Sequence, residues 1–138
     1  MTMGKWLFVA CCGVILVAAS LGCDGQADLV PQATHGGTDY CWVSDPGDPT
    51  GRNLLITVKN QGGTAAPAST ITIDFSNAGS VDVPTPPIPA GGSVALPKVS
   101  VPQSCFHPDC GFSITVDSKG AVTESNEANN KAGSGCVG

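Results

Sequence analysis

Strict alternation of apolar and polar residues constrains the fold of this chain more than any other feature of its sequence. Residues 70–76 and 112–117 alternate at every position, and residues 54–59 do so over most of their length. Successive side chains of a β-strand point to opposite faces, so each segment has one apolar face. Such a face is stable only when it packs against a second layer. The pattern therefore predicts β-sheets packed face to face.

Turn sequences and prolines separate further short strands, which we expect at residues 94–96 and 99–101. The turn sequences contain Gly, Asn, Asp or Pro and lie at residues 45–49, 60–63, 90–92 and 117–120. The proline-rich residues 83–89 are expected at a sheet edge or in an extended connection, since proline donates no ladder hydrogen bond. About seven short strands with turns between them predict an all-β, immunoglobulin-like antiparallel β-sandwich.

The first 22 residues predict an export signal. Lys5 precedes an almost uniformly apolar run at residues 6–21, shorter than the ~20 residues that a membrane-spanning helix needs. No basic stop follows it, so a signal peptide is favoured over a permanent transmembrane helix. The boundary Ser20-Leu21-Gly22-Cys23 resembles the lipobox of bacterial lipoproteins. The resemblance implies cleavage before Cys23 and lipid attachment to it, whereas ordinary cleavage near residues 18–20 is the alternative.

The number of cysteines supports lipidation. Of the seven cysteines, five remain once residues 1–22 are removed, and lipid attachment to Cys23 leaves an even number. Exported proteins fold in an oxidising compartment, so these four are expected in disulfides. Three connectivities are open to them. We favour Cys105–Cys110, which closes a short loop, together with Cys41–Cys136, which joins the start of the domain to its end.

Residues 23–37 are predicted to contain the lipid-bearing cysteine and a flexible polar tether, with a short first strand at residues 28–30. The β-domain then occupies residues 38–138. Without Lys5 the formal net charge of −5 becomes −6, and Lys and Arg form no cluster. Nucleic acid is not an expected partner, because phosphate backbones are bound by clustered basic side chains.

Three segments together resemble one protein family. Residues 56–62 form a strand that enters an Asn-x-Gly turn, and residues 88–94 form a Pro-x-Gly turn that enters a strand. Residues 114–130 contain a Val-Asp strand end, a Gly turn and the run Glu-Ser-Asn-Glu-Ala-Asn-Asn. Over roughly residues 28–132 the chain resembles the bacterial cell-adhesion-related domain, CARDB. The family motif falls here on Asp117, Glu124, Asn126, Glu127, Asn129 and Asn130.

The resemblance implies an immunoglobulin-like sandwich in an exported or surface protein, with a role in adhesion or binding. The four cysteines are not part of the family pattern and are expected to be an addition to it. The segment 124–130 allows two interpretations. Its oxygens could ligate Ca²⁺, or they could accept backbone hydrogen bonds and fix a tight bend, which we favour. The weak metal candidates are Glu124, Glu127, His107 and Asp109.

Catalytic chemistry has little support. The Gly-x-Ser-x-Gly, His-Glu-x-x-His, phosphate-loop and dinucleotide fingerprints are absent from the sequence. Only His35 and His107 could serve as bases for a hydrolase. The segment Cys105–Cys110 around His107 would suggest zinc in a reducing compartment, but export favours a disulfide. No cofactor and no small-molecule substrate are therefore expected.

Two aromatic residues, Tyr40 and Trp42, flank Cys41. A tryptophan beside a disulfide is expected to pack in the core of a sandwich. The alternative is an exposed platform for a ligand.

The sequence thus predicts a binding, adhesion or structural module with no catalytic activity. It would be held on a membrane of the cell envelope by its lipid, in the periplasm or on the cell surface. A protein or a cell-surface polymer is the expected partner, met by the motif-bearing end or by exposed strand edges. A module that binds Ca²⁺ or Zn²⁺ is the alternative, and a hydrolase is the weakest interpretation.

Overall fold

The computed structural model describes residues 25–43 and 51–138, so the predictions for residues 1–22, Cys23 and the turn at 45–49 lie outside the described residues. These residues form ten β-strands, and all the strand pairs are antiparallel. The strands are β1 Leu29–Ala33, β2 Cys41–Val43, β3 Arg52–Leu54, β4 Ile56–Asn60, β5 Ser69–Phe75, β6 Gly79–Thr85, β7 Ser93–Ala95, β8 Val99–Ser100, β9 Cys110–Thr115 and β10 Lys131–Cys136. The prediction of an all-β antiparallel fold is confirmed.

Two larger sheets pack against each other and enclose the core. One has the strand order β10-β9-β5-β6, the other has the order β1-β4-β7, and a small third sheet has the order β2-β3-β8. The alternation of β4, β5 and β9 turns their apolar side chains inward. The core includes the buried side chains of Leu29, Leu54, Ile56, Val58, Ile71, Ile73, Phe75, Phe112 and Ile114. The sandwich therefore follows from the period of two in the sequence. Within the described residues, no helix is long and apolar enough to cross a membrane.

The segment predicted as one strand at residues 54–59 is two strands, β3 and β4, which belong to different sheets. Leu55 lies between them. Its N–H donates to the Tyr40 carbonyl at 2.9 Å, and its own carbonyl accepts the Thr34 N–H at 3.3 Å. Both partners come from the connection between β1 and β2, so the break is imposed by residues outside the strand.

The folded domain begins earlier than residue 38. β1 covers Leu29–Ala33, and Ala27 is only 2% exposed, so much of the tether expected at residues 23–37 belongs to the domain. β6 forms the edge of its sheet and contains Pro84, in line with the expectation for the proline-rich segment. No alternation marks β10, because Ala, Gly and Ser make up most of its residues.

The four cysteines lie together at one end of the sandwich. Cys41 is bonded to Cys136 and Cys105 to Cys110, the pairs that the sequence favours, and Cys110 lies opposite Cys136 in the β9–β10 ladder. We call this the disulfide end. Residues 117–130, which contain the family motif, connect β9 to β10 at the other end, which we call the motif end. With a rise of ~3.4 Å per residue, β10 separates the two ends by roughly 17 Å.

Loss of the Cys41–Cys136 bond should destabilise the domain more than loss of the Cys105–Cys110 bond. The first pair is separated by 95 residues and the second by 5, and a cross-link restricts the unfolded chain more strongly when it closes a longer loop. Replacing both cysteines of the first pair by Ser should lower the free energy of unfolding by about 4–5 kcal/mol, against about 2 kcal/mol for the second pair. Urea unfolding of the two double variants measures the difference, and equal losses would contradict the prediction.

Candidate functional site

The side chain of Glu124 joins the beginning of the domain to its last strand. Glu124 is 7% exposed. Its Oε2 accepts the Leu29 N–H at 2.8 Å, and its Oε1 accepts a hydrogen bond from Asn130 Nδ2 at 3.1 Å. Next to it, the Ser125 N–H donates to the Ala27 carbonyl at 2.9 Å. The chain that leads into β1 is therefore fixed against the bend that leads into β10.

The other motif residues of this bend bind one another. Glu127 accepts the Glu124 N–H through Oε1 and Asn130 Nδ2 through Oε2, each at 3.3 Å. Asn126 Oδ1 accepts the Ala128 N–H at 3.0 Å. The Asn130 carbonyl accepts the Val116 N–H at 2.8 Å, which begins the β9–β10 pairing. These contacts support the structural interpretation of the motif, in which its oxygens fix a tight bend.

Asp117 closes the turn at the end of β9. It has a φ of 47°, in the left-handed region that Asp tolerates better than most residues. Its two carboxylate oxygens accept the Ala121 and Val122 N–H groups, each at 2.9 Å. The side chain is 6% exposed and thus buries its charge against backbone donors.

Asn60 organises the first family turn, and the sequence alone does not reveal its burial. It is completely buried, and its Oδ1 accepts the N–H groups of Asp28 at 3.1 Å and Gly62 at 3.0 Å. Its Nδ2 donates to the Thr64 carbonyl at 2.8 Å and to two carbonyls of the second family turn. A Cβ on Gly62 would lie 2.6 Å from the Asp28 nitrogen, so only glycine permits this approach. The Asn-x-Gly sequence therefore holds the segment before β1.

The second family turn and Asn129 complete the motif end. Gly91 has a φ of 71°, which favours glycine, and the following Gly92 carbonyl accepts the Asn60 N–H at 2.9 Å. Asn129 Nδ2 donates to Asp28 Oδ1 at 2.8 Å. All three segments that carry the family resemblance thus meet around the start of β1.

The environment of Glu124 changes its ionisation. Burial raises its pKa from an ordinary value of 4.5 to about 7, and the carboxylates of Glu127 and Asp117 act in the same direction. The hydrogen bonds from the Leu29 N–H and the Asn130 amide favour the charged form and oppose this increase. Glu124 therefore changes its charge near neutral pH, unlike an exposed glutamate.

Glu124→Gln should flatten the dependence of stability on pH. Between 4.5 and about 7, the folded protein binds more protons at Glu124 than the unfolded chain does, so the free energy of unfolding falls as the pH rises. The fall from this group amounts to at most about 3 kcal/mol and should be absent in the variant. Urea unfolding at about pH 5 and about pH 8 measures it.

Asp74→Asn is the matched control for this experiment, because Asp74 is an exposed carboxylate on β5. It should keep the pH dependence of the unaltered protein. If the free energy of unfolding of Glu124→Gln changes with pH as much as that of the unaltered protein, groups other than Glu124 cause the pH dependence.

The four weak metal candidates do not come together. Glu124 and Glu127 lie at the motif end, whereas His107 and Asp109 lie in the Cys105–Cys110 loop at the disulfide end. Asp109 Oδ1 accepts the Gly138 N–H at 3.0 Å, and His107 is exposed. Among residues 25–43 and 51–138, no three His, Cys, Asp or Glu side chains form a group that could hold a metal ion.

The expectation that Trp42 packs in the core is wrong. Cys41 is bonded to Cys136, so the next side chain along β2 points to the opposite face of the strand. Trp42 is 43% exposed and stacks on His35, with 4.4 Å between the ring centroids. Tyr40 is buried instead, with its hydroxyl donating to the Pro31 carbonyl at 3.3 Å and its ring edge-on to Phe112.

The fold and the motif end define a small, disulfide-bonded β-sandwich whose characteristic polar residues hold its first strand. The CARDB family model matches residues 26–134, and the chain belongs to the CARDB family. CARDB is a non-catalytic, adhesion-type β module.

A solved structure shares this fold. The crystal structure of the CARDB domain of a Pyrococcus furiosus protein, in complex with di-metal ions, is similar with a TM-score of 0.58 and 20% identity. The similarity covers 81% of this chain and 88% of that chain. At this identity the likeness shows the fold alone. No curated protein matches the chain.

Proposed function

We propose that this protein is a lipid-anchored, non-catalytic binding and adhesion module of the bacterial cell envelope. The observation that carries the proposal is the position of Ala27, which lies in the core at the motif end, only four residues after Cys23. A chain spans at most about 3.6 Å per residue, so four residues between a lipid-bearing Cys23 and Ala27 would reach at most about 14 Å from the motif end. A lipid on Cys23 would hold the domain close to the membrane, with its motif end toward the bilayer.

This orientation changes where a partner is expected. The polar side chains of the motif end bind one another and the start of β1, and this end would face the membrane. The disulfide end would point away from the membrane, toward the cell exterior or the periplasmic space. We therefore expect a protein or a cell-surface polymer to contact the disulfide end, rather than the motif-bearing end that the sequence favours.

Cys23→Ala should release the protein from the membrane, because the variant cannot receive the lipid. Membrane and soluble fractions of cells that express the full chain measure this change. Cys12→Ala is the control: it removes a cysteine from the predicted signal peptide and should leave the protein in the membrane fraction. The mass of the membrane-extracted protein should begin at Cys23 and include acyl groups. A mass without acyl groups, or Cys23→Ala protein in the membrane fraction, would contradict the proposal.

Metal binding at the motif end is a second candidate function. Within the described residues, the side-chain oxygens of Asn129 and Asn130 are buried without a hydrogen-bond partner. The amide of Asn130 is bonded to Glu124 and Glu127. Such amide and carboxylate oxygens suit Ca²⁺, and the similar Pyrococcus furiosus domain was determined with di-metal ions. Both oxygens of Glu124 already accept hydrogen bonds, however, which favours the structural role.

Calorimetric titration of the oxidised protein separates these two functions. We expect no saturable heat with Ca²⁺ or Zn²⁺, because the carboxylates of the bend are committed to hydrogen bonds. A saturable Ca²⁺ heat that is lost in Glu127→Gln and retained in Asp74→Asn would instead establish a metal site at the motif end.

A further inference from the structure

The disulfide end presents one large aromatic surface. Trp42 is 43% exposed, which is roughly 100 Å² for a side chain of this size. Its ring stacks on His35 with an angle of 28° between the planes. One face of the indole is therefore occupied by the imidazole. The exposed part of the side chain remains open to a ligand.

The surroundings of this aromatic pair hold it in place. Trp42 lies on β2, opposite Asn53 of β3, and the preceding Cys41 is covalently bonded to Cys136 of β10. His35 lies two residues after the end of β1, whose other end is fixed at the motif end. A ligand that covers Trp42 would thus restrict side chains whose conformational freedom is already small. The entropic penalty of binding is lower for this reason.

The size of the aromatic surface indicates the class of partner. A stable protein interface buries about 800 Å² on each partner, several times the exposed area of Trp42. The other large apolar side chains that are exposed in the described residues are Val81 and Val137. Neither of these valines provides a second aromatic surface. A single ring of an oligosaccharide, with an apolar C–H face, matches the exposed area better than a protein surface does.

Two polar residues lie in the connection between His35 and Trp42. Thr38 and Asp39, which precede β2, are exposed, and Asp39 Oδ1 accepts the Cys41 N–H at 3.0 Å. A sugar ring combines an apolar face with hydroxyl groups at its rim, and these groups can bond such side chains. The net charge of −5 and the absence of a basic cluster disfavour an anionic polymer.

We propose that Trp42 and His35 form a binding site for one sugar ring of a neutral cell-surface polysaccharide. This inference rests on the proposed binding function and names the ligand class for the outward-facing end. The indole packs against the C–H face of the ring, and Thr38 and Asp39 bind its hydroxyl groups.

Affinity electrophoresis of the full chain in detergent tests the site. Native gels that contain hydroxyethylcellulose, xylan or glycol chitin should retard the protein in at least one case. Trp42→Ala should weaken the affinity at least about tenfold, and Trp42→Phe should retain part of it, because a smaller aromatic face remains. Val81→Ala removes an exposed apolar side chain from β6 and is the control, which should migrate like the unaltered protein.

Fluorescence provides an independent measurement. The sequence has two tryptophans, and Trp6 lies in the predicted signal peptide, so Trp42 is the only tryptophan of a protein that begins at Cys23. A soluble oligosaccharide of the retarding polymer should change its emission with saturation, and His35→Ala should weaken this binding. Unchanged affinity in Trp42→Ala, or no retardation by any of the three polymers, would overturn the proposal. If no polymer retards the protein and a crosslinker at position 42 gives an adduct with another protein, the partner at this site is a protein and not a sugar.

These outcomes are separate from the test of membrane attachment. Cys23→Ala protein should keep its affinity for the polymer, since the substitution leaves Trp42 and His35 unchanged. If the unaltered protein carries no acyl groups but is still retarded by a polymer, the proposed membrane attachment is wrong and the sugar site stands.

Discussion

The hydrogen bond from the Leu29 N–H to the buried carboxylate of Glu124 connects parts of the chain that are 95 residues apart. β1 is an edge strand of its sheet, and among the described strands it pairs with β4 alone. Without this bond, the first N–H of β1 would lie buried at the edge of its sheet, and a buried donor without an acceptor is costly. The bend that supplies Glu124 is fixed in turn by Glu127 and Asn130, so the start of the domain depends on the order of its last connection.

A second set of bonds reaches the same place from the middle of the chain. Asn60 binds the Asp28 N–H and also the carbonyls of the turn near Ile88 and Pro89. Three connections of the chain meet at this end of the sandwich. The family motif is distributed over three segments for this reason. This explains why the characteristic polar residues are buried, since most of their side-chain hydrogen bonds are made within the fold.

The sequence predicts those parts of the fold that burial on one face dictates. β5 and β9 follow their alternation closely, because a displacement by one residue would expose every core side chain. β10 is different: Gly133 and Gly135 have no side chains, so its position depends on the pairing with β9. The burial of Glu124 and the exposure of Trp42 were beyond prediction for a related reason. The burial of Glu124 depends on where β1 packs. The exposure of Trp42 depends on the face of β2 from which Cys41 is bonded to Cys136.

The bond between Cys41 and Cys136 has a mechanical consequence. The start of β1 lies at the motif end and the cysteine bond lies at the opposite end, so the chain crosses the whole domain between them. Tension on the chain ahead of Ala27 would be resisted first by the hydrogen bonds of β1. If those bonds gave way, only the residues before Cys41 could be drawn out. The force would then pass through a covalent bond to the last strand, and the loop that this bond closes would stay intact.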